Sequence, residues 1–255
     1  MMTKNNWTRE ETIIAFNVYC KIPFKNSNKS NPTIIKYANI IGRSPSALNM
    51  KVGNFGRLDP ELKKQGIVGL AHGSKLEEDV WDEFNGNWER LAFESEQLIA
   101  KFSNLPIEDV SGIEVEDIAE GVEREAIVKK RVNQGFFRSA VLSSYDNKCC
   151  ITGLSISELL IASHIIPWSK NAEHRVNPRN GICLNPIHDR AFDRGFITIT
   201  PEYRVRLSRV LGDYADEKLV QDYFVKHDGQ KISLPDKFLP KKEFLDYHFD
   251  GIFKK

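Results

Sequence analysis

Ile161-Ala-Ser-His164-Ile-Ile-Pro-Trp168, then Asn180-Gly-Ile-Cys-Leu184, then His188-Asp-Arg-Ala-Phe-Asp193-Arg-Gly195: these three pieces decide the reading of the chain. The apolar run 159–166 predicts a strand, bounded by the polar and basic loop 167–179. Asn180-Gly181 is a tight-turn pair leading into a short second strand, Ile182 to Leu184. Asn185-Pro186 then supplies a helix start, and the helix carries His188, Phe192 and Asp193. Strand, loop, strand, helix brings the end of the first strand beside the helix, so His164 and His188 are expected to face one point. A lone histidine in a strand is ordinarily structural. A histidine, an asparagine and a second histidine in fixed order within 25 residues point to chemistry instead.

Working outward, the approach Arg131-Val-Asn-Gln-Gly-Phe-Phe-Arg138 and the turn Cys149-Cys-Ile-Thr-Gly153 precede that unit. The whole run, about residues 123–200, resembles the HNH endonucleases of the ββα-metal class. The resemblance implies hydrolysis of a phosphodiester in double-stranded DNA, with one divalent ion (Mg²⁺ or Mn²⁺) per active site. Such hydrolysis needs an activated water, a charge sink and help for the leaving oxygen. By position, His164 would be the general base, which suits an imidazole whose ordinary pKa near 6.5 leaves it largely unprotonated at neutral pH. Asn180 would pin the loop and orient His164, and His188 would ligate the metal.

One departure concerns the metal. Many members carry aspartate or histidine before the first histidine, where this chain has Ser163, a weak neutral ligand. Asp193 is the leading substitute, Asp189 the other; the ion could also rest on His188, water and DNA alone. Lys170, Arg175 and Arg179 in the loop are candidate phosphate contacts, as are Lys129, Lys130, Arg131 and Arg138 on the preceding helix. No Cys-x-x-Cys pair accompanies Cys20, Cys149, Cys150 and Cys183, so no structural zinc is expected.

Charge is segregated along the chain: residues 1–64 carry +7, 65–124 carry −11 and 125–200 carry +4. Two basic blocks around an acidic one suit a protein that meets polyanion at both ends. In the first block, Thr8 to Glu11 has capping-box form ahead of a helix. Pro32 to Ile41 predicts a second helix stopped at Gly42, and Ser44-Pro45 begins a third. This is helix-turn-helix patterning, and Ser46, Asn49, Lys51 and Asn54 are the expected DNA-facing residues. Trp81, Phe84 and Trp88 lie on an amphipathic segment, 76–101, and are expected to face a core.

The expected architecture is α+β: a mostly helical, helix-turn-helix or winged-helix-like domain over 1–102, an acidic linker over 103–122, and a nuclease domain over 123–255 with its core at 145–200. The first 7 residues lack a signal-peptide core and no apolar run approaches a membrane span, so the expected location is the cytoplasm. These features together suggest a restriction-type endonuclease of host defence, acting as a homodimer. The N-terminal domain would choose a site or a base modification, with a separate methyltransferase as a conceivable partner. The alternatives are a DNA-binding regulator with an inactive HNH fold and a non-specific nuclease.

Overall fold

The structure is a computed structural model describing residues 6–67, 73–113 and 121–255. It falls into two compact units, 1–143 and 144–255. Among the described residues no helix is long and apolar enough to cross a membrane.

The first unit is built on helix α1 (Arg9–Lys21), which is buried almost all round. Its capping box forms as patterned: Thr8 Oγ1 accepts from Glu11 N at 3.2 Å, and Glu11 takes the Thr8 N–H at 3.0 Å. Helices α2 (Pro32–Ile41), α3 (Pro45–Leu58), α4 (Pro60–Lys64), α5 (Lys75–Phe84), α6 (Trp88–Ser103), α7 (Ile107–Ser111) and α8 (Val122–Ser144) follow. Of these, α2, α3, α5 and α6 pack directly on α1. A helix enclosed on every side has no solvent face and forms the core of its bundle. Phe16 of α1 lies 4.7 Å from Phe55 and 5.2 Å from Trp81, ring centre to ring centre, and Trp88 and Phe84 are buried with them. The amphipathic aromatics thus face the core, as their spacing predicts.

Asn31 caps α2 through its side chain, Gly42 ends it at φ 66°, and Ser44 caps α3, whose first residue is Pro45. Helix, glycine turn, helix therefore forms. Among the described residues this unit has no strand, so nothing in it corresponds to a wing. The expected linker, 103–122, contains the short α7, and its residues 114–120 lie outside the described ones. Helix α8 runs unbroken through Gly135.

The second unit is α+β. Strands β1 (Ile161–His164) and β2 (Gly181–Leu184) pair antiparallel, with His164 opposite Gly181 and Ser163 opposite Ile182. Helix α9 (Pro186–Asp193) follows, capped by Asn185, and packs on β1. A second ribbon, β3 (Ile197–Ile199) with β4 (Val205–Leu207), pairs antiparallel and supports α9 from the other end. Short helices α10 (Arg209–Gly212) and α11 (Lys218–Tyr223) lead to α12 (Lys242–Gly251), which backs β3.

Two buried details lock α9 in place. The His248 ring of α12 stacks on Phe192 at 3.7 Å, donates from Nε2 to the Phe192 carbonyl at 3.0 Å and accepts at Nδ1 from the Thr198 hydroxyl at 2.8 Å. Burial lowers its pKa to about 4, against the opposing hydrogen bond to Phe192. At Gly195 the backbone has φ 71°, and a Cβ there would stand 2.1 Å from the Ile252 carbonyl oxygen. The glycine closing the Phe-Asp-Arg-Gly run is thus required twice over, by conformation and by close approach.

Candidate active site

His164 ends β1. Its Nε2 lies 2.9 Å from the Arg175 carbonyl oxygen, and its ring meets Trp168 edge-on at 5.6 Å. A carbonyl only accepts, so Nε2 carries the proton and the lone pair falls on Nδ1. Burial lowers the His164 pKa, and the Arg175 hydrogen bond only partly offsets this. The ring is held as an oriented, neutral imidazole.

Asn180 closes the loop that positions it. The buried amide accepts from Ile166 N at 2.8 Å and donates to the carbonyls of Ile166 at 3.0 Å and His174 at 3.1 Å. Its own carbonyl takes the Ile165 N–H at 2.9 Å. One residue thus ties both ends of the 16-residue excursion 165–180 from β1 to β2, its carbonyl gripping Ile165 and its side chain Ile166, one and two residues beyond His164. Arg175, one residue beyond the His174 carbonyl that Asn180 holds, supplies the acceptor for His164. It also donates from Nε to Trp168 O at 2.7 Å and lies over the Trp168 ring. The expected phosphate contact Arg175 is therefore partly committed to the loop itself. Arg179 Nη1 reaches the Leu239 carbonyl at 3.4 Å, whereas Lys170 is exposed.

His188, the expected metal ligand, lies in the first turn of α9. It is buried, and both ring nitrogens are engaged: Nε2 donates to Tyr223 O at 2.7 Å, and Nδ1 accepts from Asn185 Nδ2 at 3.0 Å. A metal at this ring would have to displace one of those bonds. Around it Asn185 also reaches Thr152 Oγ1 at 3.4 Å. Burial works to raise the Cys149 thiol, but the polar surroundings at His188 and Thr152 outweigh it and bring the thiol to about 7. This polar knot fastens the Cys149–Thr152 turn to the start of α9. An i, i+1 step turns a helix by about 100°, so a side chain next to His188 points elsewhere.

That neighbour is Asp189, which sequence reasoning named only as a second choice. Burial raises its pKa, and the Ser163 hydroxyl and the Arg190 charge hold it down in part. Asp193, one turn on and exposed, is raised by partial burial of its carboxyl and by the Asp189 charge, with Arg190 and Arg194 opposing. Ser163 itself is buried, and its Oγ has no partner at ordinary hydrogen-bond length. The Ser163 hydroxyl on β1 faces Asp189 on α9, and the Asp189 and Asp193 carboxylates, one turn apart, resist carrying two adjacent charges. Such a group of oxygen donors suits Mg²⁺ or Mn²⁺, which would remove the repulsion and satisfy the hydroxyl. Among the described residues no three His, Cys, Asp or Glu side chains converge on one metal position. The side chains here that could hold such an ion are Asp189, Asp193 and Ser163. The signal for Asp189 was available as the i, i+4 carboxylate spacing Asp189–Asp193.

In the first unit two of the four expected DNA-facing residues serve the fold. Lys51 is buried in an ion pair with Glu77, and Asn54 donates to the same carboxylate at 2.9 Å. The helical spacing placed them on one face of α3, but α5 covers that face. Asn49 accepts from the Ser27 hydroxyl at 2.8 Å, and Ser46 stays exposed. On α8, Lys129 pairs with Glu89 at 2.8 Å, while Lys130, Arg131 and Arg138 are exposed.

Residues 149–200 match a protein-family model, HNH_2, described as HNH endonuclease. No curated protein matches the chain.

Proposed function

We propose that this chain, in which residues 149–200 form an HNH endonuclease domain, is a metal-dependent DNA endonuclease of host defence. The observation that carries the reading is the state of His164: neutral, and oriented by the Arg175 carbonyl on its Nε2.

In this reading His164 Nδ1 takes a proton from the attacking water, and its low pKa keeps it competent at neutral pH. Asn180 is a positioning residue, holding the loop that aims the ring. Asp189 and Asp193, with the Ser163 hydroxyl, would hold one divalent ion, where the resemblance had implied His188, Asp193 and Ser163. When bound, that ion supplies charge stabilisation for the pentacovalent phosphorus and the leaving 3′ oxygen. The His188 knot keeps α9 at the right height against β1.

The N-terminal helical unit chooses the site or the base modification, with Ser46 and Asn49 at the exposed start of α3 as its candidate contacts. Lys130, Arg131, Arg138 and Lys170 add phosphate contacts in the cytoplasm, where a homodimer presents one active centre to each strand and a separate methyltransferase sets the modification. Digestion of matched plasmids from methylation-proficient and methylation-free hosts, with Mg²⁺, Mn²⁺ or EDTA, tests the cleavage, its metal requirement and its dependence on base modification. The expected result is metal-dependent cleavage that His164→Ala abolishes and that differs between the two plasmids. Equal cutting of both would remove the modification-dependent version, and degradation of any DNA would favour a non-specific nuclease. No cleavage with any divalent ion would return Ser163 to prominence as the mark of a DNA-binding regulator with an inactive fold.

A further inference from the structure

Beside the carboxylate pair, α9 borders a groove of about 670 Å³. Its floor is apolar, made by Ile187, Phe196 and Phe224, and every charged residue lining it is a cation: Arg190, Arg194 and Lys254. Ile187 leaves 41% of its surface exposed there. Lys254 Nζ stands 4.0 Å over the Phe196 ring, and its backbone N–H is tied to Gly195 O at 3.0 Å, so the chain end is held against the end of α9.

The helix sets the order of these charges. Arg190 and Arg194 follow Asp189 and Asp193 by one residue each, and residues three and four apart on a helix are surface neighbours. Carboxylates therefore occupy one stripe of α9, guanidiniums the next, and the apolar floor lies just beyond. Such a sequence of surfaces fits a polyanion whose backbone carries charge along one edge and flat apolar faces along the other. An acidic peptide could answer the cations, but it has no use for a floor with an aromatic ring under a cation.

We infer that this groove receives the nucleic-acid strand adjoining the scissile phosphate, with Arg190, Arg194 and Lys254 on its phosphates and an unstacked base against Phe196. The inference rests on the nuclease reading for the word scissile, but its binding content does not. Arg190 and Arg194 thereby gain a substrate-gripping role beside their influence on the carboxylates.

The test is fluorescence-anisotropy titration of the full chain with a labelled single-stranded oligonucleotide and with a duplex, in EDTA, over a series of salt concentrations. The comparison is between R190A/R194A/K254A and a control triple of exposed cations away from the groove, R206A/K231A/K242A, with thermal unfolding to show that both are folded. Neutralising three phosphate contacts is expected to flatten the log–log salt dependence by about 2 on single strands. The control is expected to move it much less, and Phe196→Leu to weaken single-strand binding more than duplex binding. Equal losses in both triples, or equal competition by a polyglutamate peptide of matched charge, would overturn the assignment. Binding is measured without metal, so loss of binding in the groove variant alongside a wild-type chain that cuts nothing would sink the nuclease reading and leave the groove standing. The converse, a cutting enzyme whose binding ignores these residues, would sink the groove alone.

Discussion

Replacing Asn180 by alanine tests the logic of the site more directly than removing the base itself. Alanine deletes three hydrogen bonds, to Ile166 N, Ile166 O and His174 O, at a residue that is 1% exposed. The two Ile166 groups lose their partner in a buried setting, at about 1–3 kcal/mol each, while the His174 carbonyl, nearer water, loses less. The expected loss is about 3 kcal/mol in urea denaturation. Aspartate makes a sharper comparison. It keeps an acceptor for Ile166 N but turns an oxygen toward carbonyls that stand 3.0 and 3.1 Å away. At neutral pH N180D is therefore expected to be no more stable than N180A, and to recover as the carboxyl protonates. Cleavage, assayed well below the unfolding midpoint of each variant, is expected to fall about 100-fold in both, since a misaimed base costs that much for a displacement near 1 Å. N180A within about 0.5 kcal/mol of the parent, the range of an indifferent substitution, with unchanged cleavage, would refute the clamp.

Exchanging the roles on α9 gives a second pair of outcomes. His188→Ala is expected to lose stability through its bonds to Asn185 and Tyr223, whereas Asp189→Asn should remain as stable and lose metal-dependent cleavage; a folded, inactive H188A beside an active D189N would restore His188 as the metal ligand. Lys51→Met strands buried Glu77 and should cost about 3–5 kcal/mol, with K51M/E77L less harmed than K51M and the salt dependence of DNA binding unmoved; a stable K51M that binds DNA poorly would place Lys51 back at the interface. Acid sensitivity follows from His248, whose folded pKa of about 4 lies below its ordinary 6.5. The unfolded chain takes up a proton across that interval that the folded chain refuses, so stability is full above 6.5 and declines as pH falls, by about 3 kcal/mol at the lower end. His164 and His227, both lowered first by burial, act in the same direction. Urea denaturation from pH 7.5 to 4.5 reads the slope, and a His248→Gln variant with an unchanged slope would count against this origin.

The nuclease module was legible because its parts are local. A strand end, an Asn-Gly turn and an Asn-Pro helix start lie close in sequence, and each has its own backbone chemistry. His164, Asn180 and the 161–164, 181–184 and 186–193 elements follow from that alone. The helical first unit was legible for the same reason, its caps at Thr8, Asn31 and Ser44 being written beside the helices they start. Which side of a helix meets solvent was not. Lys51 and Asn54 look like a DNA-reading face by spacing, and only the arrival of α5, with Glu77, engages them both and buries Lys51. His188 looks like a ligand by position, and its Nε2 bonds the carbonyl of Tyr223, 35 residues on, a partner that nothing near it in sequence announces. Local sequence determines which segments turn, extend or coil, because those preferences are settled within a few residues. The partner that each polar side chain finds is decided by tertiary packing, since burial makes an unpaired polar group costly and the nearest available partner is often far along the chain.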